Sequence, residues 1–184
     1  GAGCIIAKHG NRALTSKSGS SQVLEELGVN INSSSENILN CIKKSNIGFM
    51  FAANHHLAMK YVGPVRQKIK ERTIFNLLGP LSNPGNVKKQ IIGVFDTKWL
   101  KPLAETLKKL GSKHVMLVCG SDGLDEITTT SKTYVVELKN NKIISYELNP
   151  EDYGLSKANP NELIGDSPTT NAQKILKLLD GEKG

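Results

Sequence analysis

The sequence predicts an α/β fold in which a largely parallel sheet is flanked by helices and carries an antiparallel hairpin. Short apolar runs alternate along the chain with amphipathic segments of helical spacing, which is typical of such folds. Residues 115–119 are apolar throughout, as expected for a strand buried on both faces of a parallel sheet. Farther on, two strand-like segments meet at Asn140 and Asn141, a dipeptide suited to a tight hairpin turn.

The individual elements follow from periodicity and from capping residues. Strands are predicted at residues 3–7, 48–52, 72–78, 90–95, 115–119, 133–138 and 142–148. Helices are predicted at 23–27, from a Ser34 or Ser35 cap through Ile42, at 55–70 with a kink at Pro64, from a Thr97 cap to Leu110, and at 170–179. The length of 184 residues predicts one domain, residues 1–184, with a proper core.

Composition points to a globular protein with an anionic partner. Hydrophobic residues make up 38% of the chain and charged residues 22%. No apolar run approaches the roughly 20 residues that cross a bilayer, so we expect no membrane partner. No signal-like segment precedes the first strand, which predicts a cytoplasmic location. The net charge of +7 favours phosphorylated metabolites or nucleic acid, although a lysine-rich surface also serves solubility alone.

The three cysteines predict neither a disulfide framework nor a zinc site. Cys4, Cys41 and Cys119 stand apart, none belongs to a C-x-x-C pair, and each has apolar neighbours. We therefore expect buried, reduced thiols.

The first candidate site is a basic, hydroxyl-rich loop after the strand at residues 3–7. It contains Lys8, His9, Gly10, Asn11, Arg12, Ser16, Lys17, Ser18, Gly19 and Ser20, and it leads into a helix that starts near Ser20. Free backbone N–H groups at a helix N-terminus, together with cations and hydroxyls, suit a phosphate group. The alternative is an ordinary capped loop with exposed lysines.

Two further loops follow apolar strands. Asn54, His55 and His56 come after the strand at 48–52, but adjacent helical positions point about 100° apart and rarely share a metal ion. A structural role or a place in a substrate wall is therefore predicted for them.

The loop after residue 119 places Asp122, Asp125 and Glu126 at the end of a strand in an otherwise basic chain. Carboxylates of this kind suit magnesium, which usually binds one or two of them plus substrate phosphates. An acidic turn without a ligand is the alternative.

Five stretches together resemble anthranilate phosphoribosyltransferase, and the resemblance runs over essentially the whole chain. They are KHGNR at residues 8–12, SKSGS at 16–20, Val65 with Arg66, RTIFNLLGPLSNP at 72–84, and GLDE at 123–126. Pyrimidine nucleoside phosphorylases share a loop similar to the first two stretches. The stretch from Asn76 to Pro84 is what selects the anthranilate family.

The resemblance implies transfer of a phosphoribosyl group from phosphoribosyl pyrophosphate (PRPP) to the amine of anthranilate, a step of tryptophan biosynthesis. It implies PRPP binding by Lys8, His9, Gly10, Asn11, Arg12, Ser16, Lys17, Ser18, Gly19 and Ser20. It also implies anthranilate binding by Asn11, His56 and Arg66, and Mg²⁺ held by Asp125 and Glu126. No protein nucleophile is assigned, since the amine of anthranilate attacks directly.

The sequence departs from the family at both ends. The family's N-terminal helical domain and its glycine-rich GTGGD loop for pyrophosphate are absent from these residues, and a further C-terminal helix is also absent. We expect this fragment alone to be inactive or nearly so, and the full-length form to be a homodimer. Met59 stands where some relatives carry an aromatic residue near anthranilate.

Two other functions compete with the transferase. A non-enzymatic, nucleic-acid-binding relative would explain the charge of +7, but aromatic residues make up only 5% and offer few stacking platforms. A pyrimidine nucleoside phosphorylase would leave residues 76–84 unexplained. We therefore expect PRPP and anthranilate as partners and no nucleic acid.

Overall fold

A computed structural model of the chain describes residues 3–12, 18–56, 61 and 73–182. The strands are β1 (Ile6–Gly10), β2 (Ile47–Phe51), β3 (Lys89–Gly93), β4 (His114–Gly120), β5 (Thr133–Lys139) and β6 (Lys142–Leu148). The α-helices are α1 (Ser20–Glu26), α2 (Ser35–Ser45), α3 (Ala52–His55), α4 (Phe75–Leu81), α5 (Leu100–Lys109) and α6 (Pro168–Leu179). Turns of 3₁₀ helix occur at Thr97–Trp99, Pro150–Tyr153 and Pro160–Leu163.

The chain divides into two compact units. The first comprises Gly1–Gly85 and Gly165–Gly184, and the second comprises Asn86–Ile164. The single domain expected for residues 1–184 stays a prediction.

The first unit is organised by a parallel pair of strands. β1 lies beside β2 in a register that places Ile6 opposite Ile47 and Gly10 opposite Phe51. Helix α2 packs on β2, and α6 packs on α1. The buried side chains of this unit include Ile38 on α2 and Met50 on β2.

Local signals set the bounds of helix α2. Ser34 is its N-cap, and its Oγ accepts a hydrogen bond from the backbone N–H of Asn37 at 3.2 Å. Asn46 ends the helix in the left-handed region, with φ of 61°. β2 begins at the next residue, so the chain turns from helix to strand within one residue.

The second unit contains a four-stranded sheet in the order β3-β4-β5-β6. β3 and β4 are parallel, and the β4–β5 and β5–β6 pairs are antiparallel. Asn140 and Asn141 join the hairpin with φ values of 50° and 62°, which the tight turn requires at both positions. The α/β fold with its appended hairpin is therefore confirmed.

The core of the second unit lies between its sheet and helix α5. Leu103, Ala104 and Leu107 on the helix are at most 5% exposed, and Leu117 on β4 is fully buried. Burial of these aliphatic side chains is the main favourable contribution to the stability of this unit.

The strand predicted at residues 72–78 is wrong, because residues 75–81 form helix α4. Thr73 and Asn76 start a helical turn: the N–H of Thr73 donates to Asn76 Oδ1 at 2.9 Å, and Asn76 N–H donates to the Thr73 carbonyl. A short apolar run has no period that separates strand from helix, so this local hydrogen bonding decides the outcome.

Of the other helix predictions, the cap at Thr97 is wrong and the helix at 55–70 stays a prediction. Asp96, not Thr97, is the capping residue here: its Oδ1 accepts from Lys98 N–H at 3.0 Å and caps the 3₁₀ turn Thr97–Trp99, which leads directly into α5. α3 ends at His55, and the helix predicted from there to residue 70 lies almost wholly outside the described residues.

The cysteines are free, but only one of them is buried. Cys119 on β4 is buried, whereas Cys4 and Cys41 are exposed, so the prediction of three buried thiols is wrong for two of them. Apolar neighbours in sequence do not ensure burial, because they can point to a different face. In the described part of the chain, no helix is both long and apolar enough to cross a membrane.

A polar network lies across the sheet of the second unit. Glu137 on β5 is 9% exposed. Its Oε1 lies 2.6 Å from His114 Nε2, and its Oε2 accepts from the Tyr146 hydroxyl at 3.1 Å. The hydrogen bond with His114 lowers the pKa of Glu137 against the opposing effect of burial. Burial and the nearby Glu137 raise the pKa of Tyr146 to about 12.

Glu137 predicts a pH-dependent contribution to stability. Because its pKa is lower in the folded state than the ordinary 4.5, the stabilisation is present above pH 4.5 and is lost as the pH falls through the lowered folded value. The melting temperature of the wild type should therefore fall more steeply between about pH 5 and pH 3 than that of Glu137→Gln.

The control for this experiment is Glu151→Gln, since Glu151 forms an exposed ion pair with Lys157 at 3.3 Å. Exposed pairs contribute little, so this variant should follow the wild-type curve. Parallel curves for the wild type and Glu137→Gln would contradict the assignment.

The close packing around Gly93 predicts that a larger residue at this position destabilises the protein. A Cβ at this position would lie 1.7 Å from the Asp125 carbonyl oxygen, which is backbone and moves only if the whole loop moves. Gly93→Ala should lower the free energy of unfolding by about 1–3 kcal/mol in denaturant titrations. Gly79→Ala is the matched control, because a Cβ on Gly79 in helix α4 meets nothing within 4 Å. Equal stability of the two variants would exclude the close approach.

Candidate functional site

The basic end of the first unit is built on a strand. Lys8, His9 and Gly10 belong to β1, so the prediction that they lie in a loop after residue 7 is wrong. The parallel pairing with β2 continues to Gly10 and holds them in extended conformation. Successive strand residues point to opposite faces, and accordingly Lys8 is exposed while His9 is half-buried.

Asn11 and Arg12 follow directly after the strand. Asn11 Oδ1 accepts from Arg12 N–H at 2.8 Å, which leaves the Asn11 amide nitrogen as a donor at the surface. The Arg12 guanidinium pairs with Glu25 of α1 at 2.9 Å, and its Cζ lies 5.9 Å from the centre of the Phe51 ring. Arg12 therefore fastens the end of β1 to α1, and its positive charge is partly balanced.

Helix α1 begins beside this strand end. Gly19 is its N-cap, and the Gly19 N–H donates to Gln22 Oε1 at 3.1 Å, so this amide is already used within the protein. Ser18 is half-buried and Ser20 is exposed. Ser16 and Lys17 lie outside the described residues.

Ser21 is a positioning residue that the sequence analysis missed. It is fully buried, and its hydroxyl donates to the Asn11 carbonyl at 3.1 Å. The contact ties helix α1 to the residue that follows β1. A serine in the first turn of a helix gives no sequence signal of burial, because serine there is usually exposed.

Two histidines meet at the ends of the parallel strands. His9 Nε2 lies 3.1 Å from His56 Nε2, and the two rings stand edge to face with centroids 4.9 Å apart. One ring donates the proton and the other accepts it, so the contact does not survive protonation of both rings. The pKa of His9 is lowered mainly by burial and, to a smaller extent, by the charges of His56 and His55. A backbone hydrogen bond with Gly79 acts in the opposite direction and raises it.

His55 lies next to this pair with one unused nitrogen. Its Nε2 is buried and has no hydrogen-bond partner among the residues that the structure describes. The earlier choice between a structural role and a substrate wall stays open for His55, and the role of His56 at anthranilate stays a prediction.

The stretch that distinguished the family contacts β1. Asn83 Nδ2 donates to the Ala7 carbonyl at 3.2 Å, and Asn83 Oδ1 accepts from Gly85 N–H at 2.8 Å. Asn83 therefore holds the turn after helix α4 against the strand that carries Lys8 and His9. Val65, Arg66 and Met59 lie outside the described residues.

The acidic loop, residues 121–132, joins β4 to β5 in the second unit. Asp125 and Glu126, the acidic pair, are exposed. Neither forms an ion pair or a side-chain hydrogen bond within the described part of the chain. Their carboxylate oxygens are therefore available to a ligand.

Asp122 differs from the acidic pair, because its carboxylate is engaged by the protein. Oδ1 accepts from Leu124 N–H at 3.0 Å, and Oδ2 accepts from the hydroxyls of Thr128, at 2.6 Å, and Thr130. Desolvation would raise the pKa of Asp122, but these hydrogen bonds together outweigh it and lower the pKa to about 2. Because all three carboxylates stand within five residues of one loop, the sequence pattern does not reveal this difference.

The acidic pair offers two carboxylates, the type of ligand that Mg²⁺ prefers. Among the described residues, no group of three or more His, Cys, Asp or Glu side chains could hold a metal ion. Two free carboxylates nevertheless fit Mg²⁺, whose remaining ligands are commonly waters and substrate phosphates.

The histidine contact predicts the titration of His9. Its NMR titration midpoint should lie below 6.5, and His56→Gln should raise it only in part, because burial is the largest cause of the shift. His114→Gln is the control, since His114 pairs with Glu137. Unchanged His9 titration in His56→Gln would show that the two rings do not interact in solution.

Comparison with known proteins finds relatives over the whole chain. The glycosyl transferase family, a/b domain, matches residues 1–184. The anthranilate phosphoribosyltransferase of Rhodopseudomonas palustris (strain TIE-1) is 54% identical over 184 residues, which are 100% of this chain and 54% of that protein. The enzyme of the same name from Maricaulis maris is 48% identical over 184 residues, again 100% of this chain and 54% of that protein. The chain thus spans about half the length of these relatives.

Solved structures show the same similarity. Anthranilate phosphoribosyltransferase from Thermus thermophilus is 42% identical with a TM-score of 0.88, covering 99% of this chain and 54% of that one. The enzyme from Saccharomyces cerevisiae in complex with PRPP and Mg is 28% identical with a TM-score of 0.81, covering 95% and 47%. The same enzyme in complex with 4-fluoroanthranilate is 27% identical with a TM-score of 0.82, covering 96% of this chain and 47% of that one. With a family match from its first residue to its last, the chain belongs to the glycosyl transferase family and matches the family's α/β domain.

Proposed function

We propose that the protein carrying this chain transfers the phosphoribosyl group of PRPP to the amine of anthranilate and releases pyrophosphate, a step of tryptophan biosynthesis. The observation that carries the proposal is the 54% identity over 184 residues to a protein named anthranilate phosphoribosyltransferase. The two candidate regions support it, because one offers cations and hydrogen-bond donors and the other offers free carboxylates.

The basic strand end is suited to the phosphoribosyl group. Lys8 is exposed, and the Asn11 amide nitrogen has no hydrogen-bond partner among the residues that the structure describes. Ser20 at the start of α1 adds a hydroxyl. The complete proposed set is Lys8, His9, Gly10, Asn11, Arg12, Ser16, Lys17, Ser18, Gly19 and Ser20.

The proposed anthranilate contacts are Asn11, His56 and Arg66. Arg66 would pair with the carboxylate of anthranilate, for which the planar guanidinium is suited. His56 lies against His9, which is proposed to contact the phosphoribosyl group. The His9–His56 contact would therefore link the two substrate regions through one shared proton.

Asp125 and Glu126 are proposed to hold Mg²⁺. The fit rests on their exposed carboxylates, which have no partner in the described residues. When bound with pyrophosphate, the ion supplies positive charge that stabilises the departing group. The chain's own part is to present two oxygen ligands from a loop that is fixed to the protein by Asp122.

The chemistry needs positioning and charge stabilisation more than a protein nucleophile. The bond from the sugar carbon to pyrophosphate breaks, the amine nitrogen of anthranilate forms the new bond, and the amine then loses a proton. Cations such as Lys8 stabilise the developing negative charge, and the amine is already a usable nucleophile once it is held in place. A homodimeric full-length form and a cytoplasmic location stay predictions.

The direct test follows the fluorescence of anthranilate with the full-length protein. Fluorescence should fall only when PRPP and Mg²⁺ are both added. Loss of anthranilate without PRPP, or no loss under any of these conditions, would contradict the transferase. Binding of DNA that weakens with salt would then favour the nucleic-acid alternative.

The acidic pair gives a residue-level prediction. The double variant Asp125→Asn/Glu126→Gln should lower kcat/KM by about 100-fold or more, because even the residues that support metal ligands contribute about 10- to 100-fold to activity, and these two are proposed as the ligands themselves. Excess Mg²⁺ should recover part of the loss if binding is what the variant impairs. Glu105→Gln, on the exposed surface of α5, is the matched control and should keep wild-type activity. Equal rates for all three proteins would exclude the pair from the site.

A further inference from the structure

The acidic pair lies in a loop that regular secondary structure does not hold. The acidic loop, residues 121–132, contains neither helix nor strand. The direction in which Asp125 and Glu126 point must therefore be set by contacts within the loop and with the sheet.

Asp122 supplies those contacts on both sides of the pair. Its Oδ1 accepts from the N–H of Leu124, the residue just before Asp125, at 3.0 Å. Its Oδ2 accepts from Thr128 Oγ1, two residues after Glu126, at 2.6 Å. The Asp122 carboxylate thus holds the loop on both sides of the acidic pair. We call the hydrogen bonds that it accepts from Leu124, Thr128 and Thr130 the bracket.

Both ends of this bracket are anchored to the sheet. Thr128 is 4% exposed, and its N–H donates to Thr133 Oγ1 at the start of β5 at 3.0 Å. At the other end, the N–H of Gly120 on β4 donates to the Leu124 carbonyl at 2.8 Å. The bracket therefore fixes the loop relative to two strands.

The backbone of Asp125 also packs closely against β3. A Cβ on Gly93, the last residue of β3, would lie 1.7 Å from the Asp125 carbonyl oxygen, so this approach is possible only at glycine. A loop in this tight position has little freedom, and a change in the bracket would displace the carboxylates of the pair.

We infer that Asp122 is a positioning residue whose carboxylate holds the acidic loop in the conformation that presents Asp125 and Glu126 to a divalent cation. The inference rests on the proposed function, which assigns Mg²⁺ to the pair. We assign Asp122 a positioning role and leave the ligand role to the acidic pair, because both Asp122 oxygens already accept hydrogen bonds from the protein.

Substitutions can test separately the hydrogen bonds of the bracket and the negative charge of Asp122. Asp122→Asn removes the charge but keeps an oxygen for Leu124 N–H and an amide that can donate to the threonine hydroxyls. Thr128→Val keeps the charge and removes one hydroxyl of the bracket. Thr129→Val is the matched control, since the Thr129 hydroxyl forms no hydrogen bond within the described residues.

The experiment titrates the full chain with Mn²⁺ and follows the EPR signal of the free ion. If Asp122 acts by positioning, Asp122→Ala and Thr128→Val should weaken Mn²⁺ binding by about tenfold, as loss of partners around metal ligands typically does. Asp122→Asn and Thr129→Val should stay within about threefold of the wild type, because the bracket is kept. The amide ¹H–¹⁵N shifts of Asp125 should move in the two weakened variants without Mn²⁺.

Two other outcomes would overturn the inference, and they differ from each other. If Asp122→Asn binds as weakly as Asp122→Ala while Thr128→Val binds like the wild type, Asp122 acts only by its charge, and the proposed function stands. If Asp125→Asn/Glu126→Gln binds Mn²⁺ as well as the wild type, the metal assignment itself fails. Thr128→Val decides the question if Asp122→Ala does not fold.

Discussion

The parallel pairing of β1 with β2 is the constraint on which the first unit depends. Parallel strands end at the same edge, so the residues after Gly10 and after Phe51 are brought together there. The contact between His9 and His56 is a direct result of this register. A shift of one residue would turn every side chain of β1 to the other face and separate the two rings.

In the second unit the sheet holds a loop that has no regular structure of its own. Gly93 allows the Asp125 backbone to approach β3, and Thr133 at the start of β5 holds Thr128. The carboxylate of Asp122 completes the arrangement. A flexible loop would lose conformational entropy when it bound a cation, whereas a loop already fixed by hydrogen bonds loses less.

Charge is divided in the same way at both candidate regions. In each region one charged residue is engaged within the protein, and charged neighbours close to it are exposed. Arg12 pairs with Glu25 while Lys8 stays exposed, and Asp122 accepts hydrogen bonds from the protein while Asp125 and Glu126 stay exposed. In ligand sites generally, groups that hold the ligand-binding side chains in place contribute strongly to affinity.

The sequence by itself determined the order of most elements and the residue types of both candidate regions. Hydrophobic periodicity, the Ser34 cap and the Asn140 and Asn141 turn act over a few residues, so they can be identified without tertiary contacts. The resemblance likewise depended on local motifs. Only the tertiary structure decided that Ser21 is buried and that Asp122 differs from Asp125, and the helix at residues 75–81 starts with short-range hydrogen bonds that the apolar pattern does not reveal. These outcomes depend on partners that are distant in sequence or on hydrogen bonds with no periodic signal, so no local pattern encodes them.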